Sequence, residues 1–324
     1  MILVTGSLAF DFIMNFSGKF SDYILPEKIH TINLSFPLKT LRKERGGCAA
    51  NIAYNLALLG EKPVIVGVLG KDGGEYKQWL KKKGVDVSMV KMIKSKGTAS
   101  AFMMTDAVDN QIIGFYSGAM SASAKLKIKN EKLKIAMQNL KLSWKDLFVV
   151  IAPNDPLVMI RFARECEKLN VPYLFDPGMQ LPRFRKKDLA MGIKGAKIII
   201  GNDYEMSLIK RSLSSDGGRV ERSEDQIWIT TLGSKGSIIR YKNKKIKIKP
   251  AKPRNTSDPT GAGDAFRAGF LYGYCRGFDL KTSGQIGSLC AVYTVEKYGT
   301  TTHRFTKKEF KKRYKENFEE NVKL

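Results

Sequence analysis

Residues 258–266 (DPTGAGDAF) join a proline turn and a glycine-rich loop to an apolar stretch with helical periodicity. This pattern predicts a loop that leads into a helix N-terminus, where the first backbone N–H groups lack partners and the helix dipole is positive. Gly261 and Gly263, with the small Ala262 between them, leave these N–H groups open to an anion such as a phosphate. No Lys-Ser or Lys-Thr pair follows the glycines, which excludes a Walker A loop.

Asp264 stands directly beside this predicted anion site, where a carboxylate repels a bound anion. Its presence is explained if it accepts a proton from a substrate hydroxyl while the backbone amides stabilise a transferring phosphoryl group. The structural alternative is that the helix dipole favours Asp in a first turn, and glycine-rich turns before helices are common. This segment alone leaves two interpretations of Asp264: a catalytic base, or a residue that only stabilises the helix N-terminus.

Length and composition narrow the class of protein. With 324 residues and 43% hydrophobic content, the chain suffices for one large domain or two modest ones. The first residues, MILVTGSLAFDF, lack a basic segment, and Asp11 interrupts the apolar run, so we expect a buried strand and no signal peptide. No apolar stretch approaches the roughly 18 residues that a membrane helix needs. The four cysteines form no CxxC pair, which is typical of reduced thiols in a cytoplasmic protein.

The net charge of +25 raises the alternative of a nucleic-acid-binding protein. The lysines lie in short scattered runs, however, and aromatic residues are not interleaved with them as in a base-stacking surface. A solvated basic surface, which also attracts anionic nucleotides, is the favoured interpretation. The two histidines exclude chemistry that requires a histidine cluster.

A second glycine motif lies near the start of the chain, at residues 46–60 (GGCAANIAYNLALLG). The spacing of its apolar residues predicts a helix that follows Gly46 and Gly47. Asn51 falls in the first turns of this helix, where it faces a ligand or is simply a helix-surface residue. The glycine pair is either a hinge or a tight turn.

Short strands alternate with helices through the second half of the chain, which predicts a mostly parallel sheet covered on both faces. Ligands bind at the carboxyl ends of the strands in such folds. Four polar residues follow predicted strands or lie at strand–helix junctions, and one crevice is expected to gather them: Asp176, Asn202, Thr231 and Asp258.

Three segments are expected outside this alternation. Residues 17–45 contain an alternating piece at 29–35 and leave the main layer. Residues 100–117 have the pattern of a hairpin that turns at 106–110. Residues 212–224 are polar and predicted to form a surface loop.

The two glycine motifs, in this order and at this spacing, resemble the signature of the ribokinase-like (PfkB) carbohydrate and nucleoside kinases. The similarity extends to an NxxE element, Asn202 to Glu205, and to the loop TLGSKGS at residues 231–237. It covers essentially the whole chain. The resemblance implies one three-layer α/β/α unit over residues 1–324, with a mostly parallel central sheet and a small β-sheet lid from about 12–45 and 100–117.

The resemblance also implies three groups of site residues, with ATP as phosphate donor and Mg²⁺ as cofactor. The catalytic group is a base and its anion hole: Asp264, Gly261, Ala262 and Gly263. The substrate group contains two hydroxyl-binding residues and two lid-hinge glycines: Asp11, Asn51, Gly46 and Gly47. The nucleotide group contacts the phosphates or flanks the adenine: Asn202, Glu205, Thr231, Gly233, Gly236, Ala291 and Gly299. Glu205 is expected to organise the metal through water.

Two segments, SLAFDF and DPGMQLPRF, are most similar to adenosine and nucleoside kinase-like members. Apolar lid residues either form a wall for a purine or merely pack the lid on the body: Phe12, Met14, Phe16, Met103, Phe115, Tyr116 and Met120. We expect ATP-dependent phosphorylation of a nucleoside 5′-hydroxyl, adenosine first. The alternatives are a fructokinase- or ribokinase-like sugar kinase and a nucleotide-binding module without turnover. We expect small-molecule partners, no nucleic acid or membrane, and a cytoplasmic monomer or homodimer.

Overall fold

The computed structural model of the chain describes residues 1–108, 110–214 and 223–324. One residue of the hairpin turn expected at 106–110, and most of the loop expected at 212–224, lie outside these ranges. The described residues form thirteen strands: β1 (Ile2–Thr5), β2 (Ala9–Phe16), β3 (Leu38–Gly46), β4 (Val64–Gly70), β5 (Val90–Ile93), β6 (Ala99–Thr105), β7 (Gln111–Tyr116), β8 (Phe148–Ile151), β9 (Tyr173–Phe175), β10 (Ile198–Asn202), β11 (Ile227–Thr231), β12 (Ser237–Tyr241) and β13 (Lys244–Ile248).

Nine α-helices are present in the same ranges. They are α1 (Cys48–Leu58), α2 (Gly74–Lys82), α3 (Glu131–Asn139), α4 (Pro156–Leu169), α5 (Lys186–Lys194), α6 (Asp203–Leu213), α7 (Ala262–Cys275), α8 (Leu280–Val295) and α9 (Lys307–Phe318). No helix within the described residues is both long and apolar enough to cross a bilayer.

The larger sheet has the order β13-β12-β11-β10-β9-β8-β1-β4-β5. Its strands are parallel from β5 to β11, and β12 and β13 add an antiparallel hairpin at one side. Parallel strands are buried on both faces, and alternate residues of each strand therefore enter different cores. In β10, Ile198 and Ile200 pack into the core that contains α1, α7, α8 and α9, whereas Ile199 packs into the core that contains α4 and α5. The predicted three-layer α/β/α fold with a mostly parallel sheet is confirmed.

The smaller sheet has the order β3-β2-β6-β7. Its third and fourth strands, β6 and β7, pair as an antiparallel hairpin, and β2 runs parallel to β6. Residues 17–45 leave the larger sheet, and the alternating piece at 29–35 forms no strand. A short 3-10 helix occupies Pro26–Thr31, and the strand of this region is the highly charged β3.

The register of the smaller sheet sorts its apolar residues between two faces. Directly paired residues share a face, and Asp11 pairs with Ala101, which pairs with Phe115. Met103 pairs with Ile13 and lies on this face too. Three residues of the expected purine wall lie on the opposite face because side chains alternate along a strand: Phe12, Met14 and Tyr116. These three residues therefore cannot form one wall together with Met103 and Phe115.

The outer strand of the β12–β13 hairpin lies at one edge of the larger sheet as described. Lys244, Lys245 and Lys247 in this strand are all exposed. The hairpin therefore carries a local excess of positive charge along a sheet edge.

Candidate active site

The carboxyl ends of the parallel strands form a crevice that gathers the predicted polar residues. Asp176 directly follows β9, and Asn202 and Thr231 are the last residues of the neighbouring strands β10 and β11, where they pair in register. Helix α7 begins beside this edge and carries Asp264 in its first turn. Chain segments that are far apart in sequence thus meet where a doubly covered sheet binds ligands.

The loop before α7 has the geometry that its glycines allow. Gly261 adopts a left-handed conformation with φ of 80°, and a Cβ at this position would lie 2.9 Å from the side chain of Thr300. Both features favour glycine. The N–H of Ala262 already donates to the carbonyl of Pro259 at 3.1 Å. An anion at this helix N-terminus would compete with that bond for the Ala262 amide.

Asp264 is held by side chains from helix α1. The Asn51 amide donates a hydrogen bond of 2.9 Å from Nδ2 to Oδ2 of Asp264, and the other amide oxygen of Asn51 is buried with no partner among the described residues. Burial raises the pKa of the Asp264 carboxyl, while Arg267 and hydrogen bonds from Asn51 and the Cys48 thiol lower it in part. A raised carboxyl pKa brings a general base closer to neutral pH, where proton transfer is most effective.

Asp11 lies in the same crevice, at the root of the small sheet. Its pKa is raised to about 7, chiefly by burial and to a smaller extent by the carboxylates of Asp264, Asp258 and Glu44. A Cβ on Gly46 would lie 1.9 Å from Oδ2 of Asp11, so only glycine leaves room for this carboxyl group. Asp11 therefore faces the site and not the solvent.

Gly47 is the N-cap of α1 and has φ of 92°. A Cβ there would lie 2.6 Å from the carbonyl oxygen of Ser7 and 2.7 Å from the nitrogen of Ala9. This glycine thus occupies the crossing of the strand that enters the small sheet and the strand that leaves it, which is where the sequence predicted a hinge.

One ion pair in the crevice was not anticipated from the sequence. Nε of Arg267 lies 2.5 Å from Oδ2 of Asp176, and its Nη2 donates to Oδ1 at 3.0 Å, with both side chains buried. Each residue carries a partial signal, since Asp176 follows a strand and Arg267 lies one turn after Asp264. Their pairing across 91 positions has no local signature.

Asn202 and Glu205 form a reciprocal capping box at the start of α6. Oδ1 of Asn202 accepts from the Glu205 N–H, and Oε2 of Glu205 accepts from the Asn202 N–H, both at 2.8 Å. The described residues contain no group of three or more metal-ligating side chains. This crevice therefore fits an ion such as Mg²⁺ only if phosphate oxygens and water supply most of the ligands, as Mg²⁺ commonly prefers.

A cavity of about 490 Å³ opens between β11, the loop before α7, and α8. Its mostly apolar walls are typical of a site for a planar base. Six predicted residues line it: Thr231, Gly233, Gly236, Ala262, Gly263 and Ala291. Gly299 is not among the lining residues, and its N–H instead donates to Oδ2 of Asp258 at 3.1 Å. A larger cavity of about 1160 Å³ lies at the opposite, amino edge of the sheet, beside Ile2 and Val64.

Comparison with known proteins is consistent with this geometry. Residues 12–307 match the pfkB family carbohydrate kinase. The chain belongs to this family. It is 34% identical over 304 residues to a nucleoside kinase of Methanothermobacter thermautotrophicus, which covers 93% of this chain and 91% of the relative.

Two solved structures of Burkholderia thailandensis nucleoside kinase resemble this pfkB family member over its full length, each at 33% identity. The complex with inosine has a TM-score of 0.83 and covers 100% of both chains. The complex with ADP-inosine has a TM-score of 0.81 and covers 100% of this chain and 98% of the other. The expected family is confirmed, and with it a phosphotransferase that acts on an alcohol group.

In this pfkB kinase the loop after α8 ties the crevice to the small sheet. The Thr300 hydroxyl donates to the carbonyl of Arg45 at 3.0 Å, and the guanidinium of Arg42 lies 4.9 Å from the ring centre of Tyr298. Both arginines belong to β3. The small sheet is therefore anchored beside Asp258 and Gly261.

Proposed function

We propose that the protein transfers the γ-phosphoryl group of ATP to the 5′-hydroxyl of a nucleoside, with adenosine as the expected acceptor. The proposal depends chiefly on one observation. Asp264 lies half-buried in the first turn of α7, where it is held by Asn51, next to residues that line the cavity of about 490 Å³ and close enough to Asp11 to raise the pKa of that carboxyl. This arrangement offers a base placed between a site for a nucleotide and a site for hydroxyl groups. The relatives named nucleoside kinases, and the neighbour bound to inosine, support a nucleoside over a free sugar.

Asp264 acts as the general base in this proposal. The acceptor hydroxyl oxygen attacks the γ-phosphorus, and its proton moves to a carboxylate oxygen of Asp264. The bond between the γ-phosphorus and its bridging oxygen breaks, and ADP leaves with that electron pair. The backbone amides at the start of α7 stabilise the charge of the transferring group.

Asp11 and Asn51 bind the hydroxyl groups of the acceptor. The ionised Asp11 carboxyl accepts hydrogen bonds from a ribose, and the unpartnered Oδ1 of Asn51 accepts one more. A buried acceptor atom without a partner carries a cost that a bound hydroxyl removes. Acceptor binding and the orientation of Asp264 thus share the Asn51 side chain.

The small sheet acts as a lid over this site. Its Asp11 face carries apolar side chains of which Ile113 and Phe115 are 55% and 44% exposed. A purine covers such a surface when it binds, and closure excludes water that would otherwise hydrolyse ATP. Mg²⁺, when bound to the phosphates, would neutralise part of their charge, and Glu205 would hold it through water.

The test is ADP release with Mg-ATP against adenosine, inosine, guanosine, cytidine, ribose and fructose. Turnover on a nucleoside with a 5′-monophosphate product is expected, and Asp264→Asn should lower kcat by about 10²–10⁴-fold. The exposed Asp225→Asn is the matched control and should leave kcat unchanged. Turnover on ribose or fructose alone would show that the acceptor is a sugar, while the proposed role of Asp264 as the base would stand. ATP binding without turnover on any acceptor would favour a binding module.

A further inference from the structure

Arg267 is a buried cation that the reaction described above does not use. It is 7% exposed, and its partner Asp176 is 1% exposed. Nη2 of the guanidinium donates to Oδ1 of this carboxylate at 3.0 Å, and Nε lies 2.5 Å from Oδ2 in an ion-pair contact that lacks hydrogen-bond geometry. The hydrogen bond and the close charge contact together restrict where the guanidinium lies.

The third guanidinium nitrogen, Nη1, is directed at Gly263 in the first turn of α7. It lies 2.8 Å from the point that a Cβ on Gly263 would occupy. Gly263 and its neighbour Ala262 line the nucleotide cavity, so Nη1 approaches the backbone of that cavity from α7. In the ranges that the structure describes, Nη1 makes no hydrogen bond, and its protons remain for a ligand.

The negative charge around the crevice favours a cation at this position. Asp176, Glu205 and Asp264 are carboxyl groups whose pKa values burial raises, and Arg267 opposes that rise at each of them. A nucleotide triphosphate adds further negative charge beside these groups. A fixed guanidinium at this point offsets the repulsion where the charge of the transferring group develops.

We propose that Arg267 is a further catalytic residue, whose Nη1 donates to an oxygen of the phosphoryl group during transfer while Asp176 fixes the guanidinium. The assignment rests on the proposed kinase reaction. Arg267 forms no covalent bond, and the nucleophile, the proton acceptor and the leaving group stay as described. The competing interpretation is that the pair only joins β9 to α7.

The experiment separates these roles by removing both charges together. In Asp176→Leu/Arg267→Met neither member of the ion pair is left buried without the other, and apolar replacement of a buried ion pair is often neutral for folding. We expect a thermal midpoint close to that of the wild type, kcat lowered by about 10²–10³-fold, and an acceptor KM changed less than about threefold. Arg276→Met is the control, because Arg276 at the far end of α7 pairs with Glu61 at 2.8 Å outside the crevice. Its kcat should be unchanged.

A folded double variant with kcat within about threefold of the wild type would overturn the assignment. If the double variant does not fold, Arg267→Ala with added methylguanidinium decides. Recovery of kcat at an unchanged thermal midpoint supports a catalytic Arg267, whereas no recovery, or recovery only together with a raised midpoint, refutes it. Turnover by the wild type, and its loss in Asp264→Asn, are measured before these variants are compared. An inactive wild type would overturn the proposed function and this assignment together, and an active wild type with an active Arg267 variant would overturn this assignment alone.

Discussion

The side-chain nitrogen of Asn51 lies 2.9 Å from Oδ2 of Asp264, joining the first turn of α7 to the first turn of α1 across 213 positions of sequence. The same Asn51 leaves its Oδ1 buried without a partner in the described structure. One amide thus orients the proposed base with one atom and offers an acceptor to substrate with the other.

Loss of this amide should affect both functions. A hydrogen bond to a charged group contributes about 1.5–3 kcal/mol, so Asn51→Ala should lower kcat/KM for the acceptor by about 10–150-fold. Steady-state kinetics at saturating ATP measure this effect, and Asn15→Ala, at an exposed position of the small sheet, is the control. An Asn51→Ala enzyme with normal kcat/KM would show that Asp264 is oriented by other groups.

Gly46 is expected to be intolerant of even one methyl group. In Gly46→Ala the new Cβ would lie 1.9 Å from Oδ2 of Asp11, so the carboxyl group must leave its place. We expect acceptor kcat/KM to fall by at least about 100-fold, while the KM for ATP changes little. Gly114→Ala, in the same lid sheet, is the control because its Cβ would meet no atom within 4 Å. Similar kinetics for the two variants would contradict a substrate role for Asp11.

Asp11 is expected to lower stability at neutral and higher pH. Its pKa is raised to about 7 in the folded state, against the model-peptide value of 3.8. The unfolded chain therefore loses this proton first, and folded-state stability is lost as pH rises from about 4 to 7. Asp11→Asn should raise the free energy of unfolding by up to about 4 kcal/mol above pH 7, with no gain below about pH 4. Urea unfolding at pH 3.5, 5.5 and 8 tests this, and a gain that does not vary with pH would exclude it.

For His303 we expect the opposite pH dependence of folding stability. Burial lowers its pKa to about 4, and its Nε2–H donates to Oδ1 of Asn55 at 2.8 Å. In the unfolded chain this imidazole is protonated near pH 6.5, whereas in the folded protein it is protonated only near pH 4. Stability should thus fall by up to about 3 kcal/mol as pH drops through this window. In His303→Gln this part of the pH dependence should disappear, whereas the exposed His30→Gln should retain it. Parallel pH profiles for wild type and His303→Gln would refute the assignment.

The proposed nucleotide cavity beside α8 should respond to added volume. Ala291 lines it, and Ala291→Leu places three further carbon atoms in about 490 Å³ of space. Overpacking typically costs about 1–3 kcal/mol, so KM for ATP should rise by about 5–150-fold while acceptor KM at saturating ATP stays within twofold. Ala291→Ser serves as the small-residue control. A rise in acceptor KM alone would place the nucleotide elsewhere.

The sequence predicted the main architecture because the central strands carry a simple signal. Runs such as 148–151 and 198–200 are apolar on both faces, as strands covered by helices on two sides must be. Strand β3 carries no such signal, because an edge strand of a partly exposed sheet is covered mostly by water. Its charged residues still contribute to packing, since the ammonium of Lys43 lies 3.9 Å from the ring centre of Phe10.

The residues of the candidate site were predictable one at a time and not as pairs. Glycine motifs located Asp264 and Asn51, but the hydrogen bond between them depends on how α1 and α7 pack. The contact of Gly46 with Asp11 and the pairing of Arg267 with Asp176 likewise arise only from the fold. The lid face could not be assigned either, because a shift of one residue in register exchanges the faces.

The lysines of β13 have a consequence for how copies of this protein behave at high concentration. The free edge of a sheet exposes unpaired N–H and C=O groups, and a second chain can add to them as a further strand. Lys244, Lys245 and Lys247 lie along that edge, and two such edges brought together would place like charges side by side. Part of the net charge of +25 therefore opposes strand pairing between copies of the protein at this exposed edge. These lysines need no binding partner to explain them.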